Sequence, residues 1–122
     1  SCLKTGARVA LSDYLAVTFA RRKLVADTDA RLAGCFVAFP TTPMVAPAIA
    51  PLEKDDDLFF ATNARILRNT SPGNFLAWCG VALPTGTDAA GMPTSLLLSA
   101  TWGRDDALLS LAMACEPHVV GT

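Results

Sequence analysis

Few side chains in this sequence are placed to make or break bonds. Its lysines are Lys4, Lys23 and Lys54, and none stands near a serine-rich turn, so no lysine is positioned to activate a serine nucleophile. The single histidine, His118, follows Pro117 close to the C-terminus. A Ser-His-Asp device would therefore rest on an imidazole at a fraying end. Cys2, Cys35, Cys79 and Cys115 are spread evenly and form no CxxC pair, so the close ligand pairs of a zinc site are missing. Cys35 and Cys79 lie in apolar runs, which predicts buried free thiols in a reduced, cytoplasmic protein. The acids Glu53, Asp55, Asp56 and Asp57 lack the spacing of a calcium loop and read as a solvated loop. Arg21, Arg22 and Lys23 read as a solvated helix face. No catalytic residue, metal ligand or cofactor-binding motif emerges from these residues.

The composition says what kind of scaffold carries them. The chain has 122 residues, with 10 basic and 11 acidic side chains and a net charge of −1. No basic patch stands out, so nothing favours nucleic acid or an anionic membrane. Charged residues are 17% of the chain, against about 25% in an average globular domain. So apolar a chain of this size should expose apolar surface. It is expected either to oligomerise or to be part of something larger, with residues 1–122 forming a single segment. The N-terminus does not resemble a signal peptide, and no apolar run approaches the ~20 residues that span a bilayer.

The pattern predicts the elements in order. After a lead-in over 1–11, Ser12 is the expected cap of a helix that Gly34 ends. Leu11, Tyr14, Leu15, Val17, Leu24, Val25 and Leu32 share about half of its wheel. Residues 35–39 form a short apolar run, which predicts a strand buried on both faces. The proline-rich stretch after it is expected to be irregular through Pro51. A short helix over 58–67 follows with Asp57 as its cap, and residues 69–73 break it. Two apolar runs around a Gly-containing loop predict an antiparallel hairpin pairing 81–84 with 96–100. An Asp-capped helix over 105–115 then folds back on it. This is an α/β pattern: a small mixed sheet with an antiparallel hairpin, covered by helices. Leu96, Leu97 and Leu98 alternate with no polar residue, so that strand is expected to be covered on both faces.

Three stretches together resemble the C-terminal part of the amidase signature family. The first runs over 14–43: a long Arg-bearing helix, an apolar strand, then Pro40-Thr41-Thr42-Pro43, similar to the family's Thr-Pro-Thr-x-Pro-like loop. The second is Asn69-Thr70-Ser71-Pro72-Gly73-Asn74-Phe75, which precedes a strand ending at Pro84. The third is Gly91-Met92-Pro93-Thr94-Ser95-Leu96-Leu97-Leu98, followed by Asp105-Asp106-Ala107-Leu108-Leu109. These resemble the family's Gly-Leu-Pro-x-Gly-Leu-Gln-Leu strand and its Asp-Asp/Glu-x-x-Leu-Leu helix start. The sequence departs from the family pattern at Trp78-Cys79-Gly80, at Ser95 (commonly Gly) and at Leu97 (commonly Gln).

The resemblance implies an α/β/α fold and cleavage of amide bonds by a Ser–cis-Ser–Lys triad. In that triad the Lys, through the bridging Ser, takes the proton of the nucleophilic Ser, and backbone amides hold the oxyanion. The Gly-Gly-Ser-Ser-Gly run that carries those residues is not in this sequence, so no catalytic residue carries over. The chain is then expected to complete the sheet and wall one side of a pocket for a small amide substrate. It would be inactive alone and partnered by an N-terminal catalytic portion or by another copy of itself. Open α/β sheets bind ligands at strand ends, which selects Thr41, Thr42, Asn69, Thr70 and Asn74 as candidate substrate-binding residues. The same hydroxyls and prolines equally suit a role in shaping turns and satisfying backbone groups. A second reading is a non-catalytic remnant that self-associates or binds a partner through an apolar face.

Overall fold

A computed structural model of the chain describes residues 6–119; Cys2 and Lys4 lie outside this range. The chain divides into two compact units, residues 1–33 and 34–122. The first is dominated by helix α1, Leu11–Arg31. The helix starts one residue before the expected cap. Ala10 occupies the capping position without a side-chain bond, and its carbonyl already accepts from Tyr14 N at 3.0 Å. Ser12 therefore lies within the first turn. Thr18 and Thr28 donate their hydroxyls to the carbonyls of Tyr14 and Leu24 at 2.8 and 2.7 Å, and Lys23 pairs with Asp27 at 2.6 Å one turn on. Gly34 follows with φ +79°, the left-handed conformation that stops a helix. No residue of α1 is buried.

The second unit is built on a three-stranded sheet of β1 (Val37–Pro40), β2 (Cys79–Thr87) and β3 (Pro93–Ala100), in the order β1-β3-β2. The α/β class holds, but the expected mixed sheet is antiparallel throughout. The predicted hairpin is present: Val81 opposes Leu98, Leu83 opposes Leu96 and Pro84 opposes Ser95. Its turn is organised by Asp88, whose Oδ1 accepts from the N–H groups of Ala90 and Met92 at 2.9 Å each, and Gly91 supplies φ +79°. The register shifts between Pro84 and Gly86, where Gly86 takes φ +110°, as a bulge requires.

Helix α5, Asp105–Val119, covers one face of the hairpin. Leu108 and Ala112 are buried against Leu83, Leu98 and Ala100. Full burial of a leucine such as Leu108, 1% exposed, is worth about 1.5–3 kcal/mol. The helix runs past the expected end at Cys115, through Pro117. Pro117 removes one backbone bond in the last turn, while Val119 beyond it packs on the same core.

The first strand is not buried on both faces. It alternates half-buried and exposed residues because it is the sheet edge beyond the reach of α5. Cys35 precedes it and is exposed, so the buried thiol expected there is instead on the surface; Cys79 and Cys115 are half-buried, and all three are free. The start of α5 is tied to this edge by Arg104. Its Nη1 donates to Cys35 O at 2.8 Å, and its guanidinium lies 4.5 Å from the Phe36 ring centroid.

Between β1 and β2 the chain forms short helices α2 (Ile49–Leu52), α3 (Asp56–Ile66) and α4 (Ser71–Leu76). Two of these fall where the prolines predict irregular chain. Pro51 and Pro72 sit in first turns, where a missing N–H costs nothing. The cap of α3 is Asp55 rather than Asp57, with Oδ1 accepting from Leu58 N at 2.9 Å. Asp56 and Asp57 lie in its first turn, where the helix dipole favours them. Among the described residues no helix is long and apolar enough to cross a membrane.

Candidate functional site

Side chains alternate along a strand, so the face of the sheet away from α5 presents Val37, Phe39, Gly80, Leu97 and Ser99. The registers Val37–Ser99 and Phe39–Leu97 put these residues side by side. The stretch from the end of α3 through α4 lies along this face. An open cleft of about 650 Å³ results, lined by Val37, Phe39, Pro40, Pro43, Arg68, Asn69, Pro72 and Trp78. Arg68 is the one charged residue among them. Beside it is a smaller hollow of about 230 Å³, lined in part by Thr70, Asn74, Trp78 and Gly80. A Cβ on Gly80 would lie 3.3 Å from Leu97 Cδ1, so a side chain there would ask the end of Leu97 to shift by a few tenths of an ångström.

The turn that carries Trp78 into the site is specific. Ala77 takes φ +59°, Trp78 N donates to Gly73 O at 2.9 Å, and Ala77 N reaches Asn74 O at 3.5 Å. This paired arrangement is the Schellman closure of a helix, usually made by glycine. It swings the indole of Trp78 into the space beneath α4. The Trp78 Nε1 atom is buried with no acceptor among the described residues.

The sequence-selected residues are only partly gathered. Asn69 joins the two candidate loops directly: its Nδ2 donates to Pro40 O at 2.8 Å. Thr41 is clamped to β3, its N–H donating to Ser95 O at 3.0 Å and its Oγ1 accepting from Ser95 Oγ at 2.7 Å. Thr70 Oγ1 donates to Leu67 O at 3.3 Å, and Asn74 shares the smaller hollow with it. Thr42 is set apart. Its Oγ1 donates to Met44 O at 2.8 Å, and it lines a separate hollow of about 170 Å³ with Pro93 and Ser95. Trp78, which lines both the open cleft and the smaller hollow beside it, was not among the candidates. Its signal was a large aromatic directly between a Gly-containing helix and a strand.

Chemically, this surface can hold an apolar body and orient a polar group with Asn69 or Arg68. It offers no assembled nucleophile and base. Ser71, Ser95 and Ser110 bond to Leu67 O, Thr41 Oγ1 and Asp106 O respectively. Among the described residues no group of His, Cys, Asp and Glu could hold a metal ion.

Two curated enzymes are similar in sequence. The 2-amino-5-chloromuconic acid deaminase of Comamonas testosteroni is 30% identical over 77 residues, which cover 63% of this chain and 16% of that enzyme. The fatty acid amide hydrolase of Arabidopsis thaliana is 28% identical over 113 residues, covering 86% of this chain and 18% of that enzyme. The chain thus spans less than a fifth of the length of these relatives. Both belong to the amidase signature enzymes, which supports that family for this chain at a coarse level. No family model and no solved structure matches the chain.

Proposed function

We propose that this chain is the C-terminal portion of an amidase-type hydrolase that cleaves the C–N bond of a carboxamide. The similarity to two such enzymes, each matched over less than a fifth of its length, carries the reading. In it the Ser–cis-Ser–Lys triad lies outside the chain. The chain completes the sheet and supplies one wall of the substrate pocket through Asn69, Thr70 and Asn74, while Thr41 and Thr42 shape the adjoining loop. The cleft between the sheet and the residues around Asn69 is where an amide substrate's apolar body rests. Its partner is the N-terminal catalytic portion of the same cytoplasmic enzyme.

The test compares the chain with the protein translated from its coding sequence extended upstream of Ser1. The longer protein hydrolyses simple aryl acylamides and the chain alone does not. Turnover by the chain alone, abolished by changing one of its own Ser or Lys residues, overturns the reading, as does an in-frame stop immediately before Ser1.

A second reading, a non-catalytic remnant that self-associates or binds a partner through an apolar face, is supported by the apolar side chains left in water. Leu11 is 71% and Met113 75% exposed. Sedimentation at micromolar concentration tests the self-association: a single monomeric species removes that form of the reading.

A further inference from the structure

A further cleft lies between the turn leading into β2 and the turn leading into α5. It holds about 280 Å³ and is lined by Ala77, Trp78, Cys79, Trp102, Gly103 and Asp105. Both tryptophans of the chain line it. Trp102 is 76% exposed, an unusual position for the largest apolar side chain, and it stands on a turn that Gly103 bends with φ +75°. The Asp105 side chain makes no hydrogen bond or ion pair among the described residues.

Indole faces carry negative electrostatic potential and attract cations more strongly than any other side-chain ring. A carboxylate in the same cleft adds a full opposite charge. The amino terminus of α5 acts against this with roughly half a positive charge, but Asp105 and Asp106 both lie in that first turn and leave it net negative. Arg104, the nearest basic residue in sequence, is held away on Cys35 O and the Phe36 ring. We propose that this cleft binds a small organic cation, an alkylammonium group held against the faces of Trp78 and Trp102 and paired with the Asp105 carboxylate. Such a site prefers a methylated ammonium over a bare metal ion, because the methyl groups use the apolar walls that a hydrated metal cannot.

The site does not depend on the amidase reading, and its test needs no turnover. Choline chloride is titrated into the whole chain by calorimetry at fixed ionic strength. Its uncharged carbon isostere, with tert-butyl in place of trimethylammonium, is titrated in parallel. Choline should bind saturably, and the isostere about tenfold more weakly or not at all. Trp102→Ala should weaken choline about tenfold, and Trp102→Phe should restore part of the loss, since a smaller π-face remains. Trp102 is exposed, so an unchanged circular dichroism spectrum verifies the fold of both variants. Asp105→Asn, which keeps the size of the side chain, should weaken choline without strengthening the isostere. No saturable choline binding, equal binding of the isostere, or affinity unchanged in Trp102→Ala and Asp105→Asn would each overturn the proposal.

Discussion

On the face of the sheet covered by α5, Leu83, Leu98 and Ala100 meet Leu108 and Ala112 in a wholly apolar contact. On the opposite face, Val37, Phe39 and Leu97 are met by a shorter, more polar cover. It is held by single hydrogen bonds such as Asn69 Nδ2 to Pro40 O and leaves two clefts open along it. The first face is closed by one continuous piece of chain, a hairpin and the helix that follows it. The second is closed by loops from two distant stretches. Close packing stabilises through many small contacts and leaves no room. A few directed bonds position chain without filling space, and the space left over is where a ligand can rest.

Substitutions on the two faces should separate accordingly. Leu108→Ala removes the most buried side chain of the covered face and should destabilise the chain by about 2–5 kcal/mol in urea unfolding. Asn69→Ala on the open face should cost only about 1 kcal/mol, the net worth of one hydrogen bond. An Asn69→Ala cost equal to that of Leu108→Ala would erase the contrast between the faces. Ala77→Gly should raise stability by up to about 1 kcal/mol, because glycine relieves the left-handed strain at the turn before Trp78. A loss of stability there would mean that the alanine methyl packs usefully. Gly80→Ala should change stability by no more than about 0.5 kcal/mol, since the lost chain entropy of glycine offsets the tight approach to Leu97. A cost several times larger would show the open face to be as closely fitted as the covered one.

The covered face was legible in the sequence because its signals are local. The apolar runs around Asp88 and Gly91, and the Asp105-Asp106 start before an apolar helix, need no distant partner to be read. The open face was less legible. The Asn69–Pro40 bond joins residues far apart in sequence, and no spacing announces it. Prolines misled in a consistent way: Pro51 and Pro72 read as breakers, yet each falls in the first turn of a short helix. Asp57 reads as the cap of α3 from the sequence, yet among three adjacent acids it is Asp55 whose carboxylate accepts from Leu58 N. The edge position of β1 was also hidden, because an apolar run does not say how many neighbours its strand will have.

The distant pairing of β1 with β3 has a consequence for how the molecule assembles. The hairpin and α5 close over short loops, whereas Val37 finds Ser99 only after a long intervening segment is brought round. Contacts that close long loops form late and open first. The hairpin and helix can therefore serve as a nucleus on which the edge strand docks last, with Arg104 as the latch that receives it. The wall of the open cleft formed by Val37 and Phe39 belongs to this late-docking piece. A transient release of the strand would widen that cleft while the apolar core beneath α5 stays intact.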